Sequence, residues 1–162
     1  MSAQTFALRP IGRTAIHDTG AALCIDEPFR EALFGLEGFS HLNVLWWAHQ
    51  LDEPALRDMT VAERPYRDAP SRLGIFATRS PVRPNPIALS AVPVLSIDVA
   101  RGRVEVPWID AEPDSPILDI KPYHPAVDRI REAATPAWCA GWPQWYEDSM
   151  TFDWDAVFEN AR

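Results

Sequence analysis

Two short stretches hold most of the side chains whose types and spacing could do chemistry. Residues 110–125 read DAEPDSPILDIKPYHP, with acids at 110, 112, 114 and 119, the chain's single lysine at 121, then Tyr123 and His124. Asp119, Lys121, Tyr123 and His124 together offer both charges and proton transfer in both directions. The same run also reads as a turn followed by a strand, on which Asp119 and Lys121 pair with each other. Residues 77–90 read ATRSPVRPNPIALS. Prolines 81, 84 and 86 fix φ and push each preceding residue toward extended geometry, so this loop is stiff. A stiff loop presents Arg79, Ser80, Arg83 and Asn85 with little entropy left to lose, which suits recognition. A plain surface connector with solvated arginines is the competing reading.

Other chemistries find no support. The histidines at 17, 41, 49 and 124 lack HxxxH or Cys-His spacing, so no metal site is expected. GxGxxG, GxxxxGK[ST] and GxSxG are all missing, and seven glycines leave little scope for a phosphate-cradling loop. The usual Rossmann route to a nucleotide is closed. Cys24 and Cys139 stand alone and read as buried thiols rather than a disulfide. His41 and His49 fall on one face of an alternating run and read as hydrogen-bonded structural residues.

The elements that position these segments are mainly strands. The chain has 162 residues and 16 prolines, 11 of them between Pro65 and Pro125, which excludes long helices. One domain of this size can bury a full core. Residues 41–49, HLNVLWWAH, alternate with Leu42, Val44, Trp46 and Ala48 on one face. Residues 73–78 and 87–99 also alternate, the latter grouping Ile87, Leu89, Ala91, Leu95, Ile97 and Val99 opposite Ala88, Ser90, Ser96 and Asp98, with Pro93 at a bulge or edge. After an Arg101-Gly102 turn, Val104, Val106 and Trp108 make a hairpin partner. An antiparallel meander is the economical arrangement. Helical signals are short, at 28–34 and 126–134. The tail from Trp138 to Arg162 holds four of seven tryptophans and five acids, and should pack on the rest of the domain or on a partner chain.

The formal charge of −8 opposes broad nucleic-acid binding, yet its distribution is uneven. Residues 18–63 sum to −7, residues 64–103 to +5 through seven arginines, and 104–139 and 140–162 to −4 each. An anion would be met by the middle and repelled by the flanks. No apolar run approaches a membrane span and the first residues lack signal-peptide blocks, so a soluble cytoplasmic protein is expected.

Taken together, TRSPVRPNPIALS, the later DSPILDIKPYHP and the earlier LFGLEGFSHLNVLWWAHQ resemble the TsaA-like family over residues 33–125. Its best-described members are tRNA methyltransferases that place an N6-methyl group on threonylcarbamoyladenosine at position 37. The resemblance implies a mainly β fold: a small antiparallel β-barrel with short helices, a non-Rossmann methyltransferase that binds S-adenosyl-L-methionine near a homodimer interface. It implies that His49, Gln50, Arg79 and Leu89 line the cofactor pocket. The family's Asp-Gly-Thr-Pro turn falls on Pro113, Asp114, Ser115 and Pro116, which makes Asp114, Ser115 and Pro116 cofactor candidates. The glycine is replaced, so an inexpensive positive φ is not expected there.

Methyl transfer from a sulfonium is an in-line displacement that needs aligned donor and acceptor, and the acceptor N–H gains from a group that holds it and takes the proton late. On this reading Asn85 or Asp119 accepts that hydrogen bond, Lys121 and Tyr123 orient it, and Arg79 and Arg83 meet a carboxylate or phosphate. The expected partners are tRNA and a second copy of the chain. Methyl transfer to another acceptor, or an adenosine-ligand-binding module without catalysis, are the alternatives.

Overall fold

The computed structural model describes residues 5–160. Nine strands follow in chain order: β1 (Gly12–His17), β2 (Gly20–Ile25), β3 (His41–Trp47), β4 (Val61–Glu63), β5 (Arg72–Gly74), β6 (Ile87–Pro93), β7 (Ser96–Asp98), β8 (Arg103–Val106) and β9 (Pro116–Pro122). The α-helices are single turns, α1 (Pro54–Arg57), α2 (Pro125–Asp128) and α3 (Tyr146–Ser149), and the helix expected at 28–34 is a 3-10 helix over Glu27–Leu33. No described helix is long and apolar enough to cross a membrane. The fold is mainly β.

The chain divides into two compact units, one of residues up to Leu51 with Pro86–Arg129, the other of Asp52–Asn85 with residues from Ile130 onward. The first unit is built on a seven-stranded antiparallel sheet in the order β6-β3-β9-β1-β2-β8-β7. Of the expected meander only the β7-β8 hairpin survives, and the β1-β2 hairpin lies outside the strands expected from the sequence. β9 enters between β3 and β1, because it carries apolar residues that both neighbours need on one face. Leu23, Leu42, Val44, Val92, Val104, Val106 and Ile117 are fully buried on that face, each stabilising by about 1.5–3 kcal/mol. At the β7-β8 turn, Gly102 takes φ +65° and a Cβ there would lie 2.5 Å from the Ile25 carbonyl oxygen, so only glycine fits.

β3 alternates as expected, with Leu42, Val44 and Trp46 buried. It ends at Trp47, so His49 opens a 3-10 turn and does not share a strand face with His41. For β6 the expected faces are reversed. The pairs Leu42↔Val92, Val44↔Ser90 and Trp46↔Ala88 place Ser90 and Val92 inward, while Ile87 and Leu89 remain 37% and 46% exposed. Ser90 tolerates burial because the Trp46 indole Nε1 donates to its Oγ at 3.0 Å. Residues 73–78 are a short strand followed by a 3-10 turn at Ile75–Ala77. The helix expected at 126–134 stops at Asp128, and Trp108 is half exposed beyond β8. Cys139 is buried, whereas Cys24 is half-buried, with Arg103 Nη1 3.6 Å from its sulfur.

The second unit pairs β4 with β5. Its other organising contact is aromatic. Tyr66 stacks on Trp138 with ring centres 5.3 Å apart and meets Trp142 edge-on at 5.0 Å, and Trp142 continues to Trp154. A Tyr66↔Phe158 bridge, with the Glu159 and Asn160 N–H groups donating to the Pro65 and Arg64 carbonyls, fixes the described tail. Trp138, Trp142 and Trp154 thus pack within this unit, whereas Trp145 stays mostly exposed.

Candidate functional site

In the first unit the expected residues gather on the outward face of β6-β3-β9 and at one end of it. A β-bulge makes this possible. Asp119 pairs with Leu45 while Ile117 pairs with Trp46, so Leu118 is the extra residue of β9. Without that extra residue Asp119 would fall on the core face with Ile117. With it, Ile117 and Ile120 face the core, and Asp119 and Lys121 share the outer face with Leu45, Asn43 and Leu89.

Lys121 Nζ lies 2.7 Å from Asp119 Oδ2, and Asp119 Oδ1 accepts the Ile120 N–H at 2.9 Å. Both carboxylate oxygens are therefore engaged. The hydrogen bond to Asp119, seconded by its charge, holds the Lys121 ammonium above its ordinary pKa. One register step on, the Tyr123 N–H donates to the His41 carbonyl at 3.0 Å and the two rings meet edge-to-face at 6.3 Å. Asn43 and Asp128 are the residues sequence reasoning missed here. Asn43 Nδ2 donates to Asp128 Oδ1 at 2.9 Å, and Asp128 Oδ2 accepts the His124 N–H at 2.6 Å, so α2 is tied to the centre of β3.

The other cluster is the turn before β9. Asp114 takes φ +61°. The left-handed conformation survives replacement of the glycine, because a short polar side chain is among the few that tolerate it. Thr14, also missed, clamps the turn: its Oγ1 donates to the Glu112 carbonyl at 2.7 Å and accepts the Ser115 N–H at 3.0 Å, while its carbonyl accepts the Asp114 N–H at 2.9 Å. Thr14 and Ser115 are buried. The one signal available in the sequence was a threonine at an inward position of β1. Ser115 Oγ lies 3.3 Å from His49 Nδ1. His49 is held near the turn because the Ala48 N–H donates to the carbonyl of buried Pro86 at 2.9 Å. Gln50 is exposed beside it, and Pro116 begins β9.

Arg79, Arg83 and Asn85 belong to the second unit. The Tyr66 hydroxyl accepts from the Arg79 backbone N–H, and burial is the larger influence, holding the phenol above its ordinary pKa. The Arg83 guanidinium stands over the Phe76 ring at 6.0 Å, and Asn85 is exposed. Among the described residues, no group of three His, Cys, Asp or Glu could hold a metal ion.

Comparison with known proteins identifies what this arrangement resembles. The family model of the tRNA-methyltransferase O N-terminal domain matches residues 5–129. An S-adenosyl-L-methionine-binding protein of Archaeoglobus fulgidus is 35% identical over 115 residues, 71% of this chain and 77% of the relative. The tRNA (adenine(37)-N6)-methyltransferase of Escherichia coli K12 is 36% identical over 106 residues, 64% of this chain and 44% of that enzyme. Among solved structures, TrmO matches with a TM-score of 0.63 and 30% identity, covering 83% of this chain and 62% of that one. TrmO from Pseudomonas aeruginosa matches at 0.61 with 30% identity, covering 81% and 62%. The chain spans less than two thirds of these solved chains.

Proposed function

From the premise that this chain belongs to the tRNA-methyltransferase O N-terminal domain family, we propose that it is an S-adenosyl-L-methionine-dependent methyltransferase acting on N6 of threonylcarbamoyladenosine at tRNA position 37. The observation that carries the reading is the clamped turn at Asp114–Ser115 against His49, which sits within the 5–129 match. The residues there suit the cofactor. Leu89 offers an exposed apolar surface to a purine, the Asp114 carboxylate can accept from ribose hydroxyls, buried Ser115 holds the turn against His49, and Gln50 can donate and accept at once. His49, Gln50, Leu89, Asp114, Ser115 and Pro116 are the proposed cofactor-binding residues.

When bound, S-adenosylmethionine supplies an electrophilic methyl group for in-line displacement by the acceptor nitrogen. The protein's own residues have the tasks of alignment and proton removal. Asp119 positions the Lys121 ammonium and keeps lone pairs on both oxygens with which to accept the substrate N–H and take its proton, while the remaining Lys121 N–H donors, with the Tyr123 hydroxyl, orient the acceptor. Asn85 is the second proposed hydrogen-bond acceptor, its side-chain carbonyl holding the substrate N–H in line without taking the proton, and Arg83 the group that meets a carboxylate or phosphate. An Asn85→Ala enzyme should lose turnover while keeping cofactor affinity by calorimetry; unchanged turnover eliminates that role.

Barrel closure and a homodimer with the cofactor near its interface complete the reading, and light scattering of the purified protein tests the dimer. The formal charge of −8 favours a second reading, in which the methyl acceptor is a small molecule rather than tRNA. Mass spectrometry of position-37 nucleosides in tRNA from cells with and without the gene separates the two. Loss of the methylated nucleoside with the gene supports the tRNA reading, and identical nucleosides favour the other acceptor.

A further inference from the structure

The second unit contains a concave surface that the methyl-transfer reading leaves unused. It is an open concavity of about 650 Å³, lined by Tyr66, Phe76, Trp138 and Trp142, with Thr78 and Arg79 among its few polar members. Trp138 and Trp142 lie beyond the residues matched by the family model. The size and the mostly apolar, aromatic lining with few polar groups are those of a small-molecule or base site rather than of a closed core. Phe76 is 79% exposed at its edge, which is unusual for so large an apolar ring, and the Arg83 guanidinium stands over it.

We propose that this groove holds an unpaired nucleobase of the RNA substrate, stacked on the exposed ring of Phe76 and backed by the tryptophans, with Arg79 and Arg83 meeting the adjoining phosphates. Flat rings offer π-faces to any base, and guanidinium groups beside them match the charge of the backbone on either side. A peptide would ask for main-chain hydrogen-bond partners, whereas the lining is dominated by rings. The segment from Arg64 to Arg83 carries five arginines, of which Arg64 and Arg72 pair with Glu159 and Glu63. Arg67 donates to the Asp155 carbonyl, Arg79 lines the groove itself and Arg83 stands over its Phe76 ring. This assignment rests on the tRNA reading and adds to it the surface that grips a base outside the reacting nucleotide.

The test uses the full chain and an anticodon stem-loop carrying threonylcarbamoyladenosine. Intrinsic tryptophan fluorescence should be quenched on titration, because a stacked base lies against Trp138 and Trp142. Phe76→Ala, at an exposed position where folding is not at stake, should raise the stem-loop Kd and the KM for tRNA at least about fivefold, with kcat and S-adenosylmethionine affinity unchanged. Phe76→Tyr should restore both. If the wild-type protein methylates tRNA and Phe76→Ala binds the stem-loop equally well, the groove assignment is wrong and the methyltransferase reading stands. If the wild type binds S-adenosylmethionine but neither binds nor methylates the stem-loop, both fall. Quenching by an unstructured peptide and not by RNA would also overturn the assignment.

Discussion

At the scale of single residues, Asp114 carries the most specific demand. Its φ of +61° is a conformation that costs an ordinary L-residue about 1–2 kcal/mol, and Thr14 holds it there through four hydrogen bonds to the turn. Asp114→Val should therefore destabilise the protein by about 1–2 kcal/mol in urea unfolding and weaken cofactor binding. Asp114→Gly, by contrast, should leave stability within a few tenths of a kcal/mol or raise it. Equal stability of the valine and wild-type proteins would show that the turn is not strained. The resemblance located this turn by its serine and proline. It could not show that aspartate takes over the glycine's geometry, since that depends on Thr14, 101 residues away from Ser115 in the chain.

At the scale of elements, the outer face of β6-β3-β9 depends on which way each strand turns. Ser90 faces inward because it satisfies the Trp46 indole, so Ser90→Ala leaves a buried N–H without its partner. That should cost about 1–3 kcal/mol in denaturant unfolding, and a Trp46→Phe/Ser90→Ala double variant should lose less than the two singles together. On the β1-β2-β8 side, Glu105 accepts from the Arg103 side chain and from His17, and the hydrogen bond with Arg103 chiefly holds its carboxyl below the ordinary glutamate pKa. A depressed folded-state pKa adds stability above the unfolded value, and that stability disappears as pH falls through the folded one. Glu105→Gln should therefore flatten the acid side of the stability-against-pH curve, and an unchanged curve would remove Glu105 from the account.

The alternation of β3 and the hairpin at Gly102 were legible because their apolar residues match the strand period. The faces of β6 were not, since Ile87 and Leu89 outweigh Ala88 and Ser90 in hydrophobicity and only pairing with β3 reverses them. The bulge at Leu118 left no glycine to announce it, although it decides that Asp119 and Lys121 face outward. Residues 126–134 carried a helix start at Pro125, but Asp128 spends its side chain on Asn43 and the His124 N–H, and the helix ends with it.

At the scale of the whole molecule, a chain of net charge −8 gives counterion release little to work with, so affinity for tRNA must come from a few placed groups rather than from a broad basic face. On the proposed reading those groups are Lys121 and Tyr123 on the outer sheet face, Arg83 and Asn85 on the stiff loop, and the Phe76 groove. The most direct measurement is in vitro: purified protein, S-adenosylmethionine and tRNA bearing threonylcarbamoyladenosine, followed by mass spectrometry of the position-37 nucleoside. The account predicts a gain of one methyl group at N6, dependent on the cofactor and reduced in Asn85→Ala. An unmodified nucleoside, from protein that binds S-adenosylmethionine in the same preparation, would contradict it.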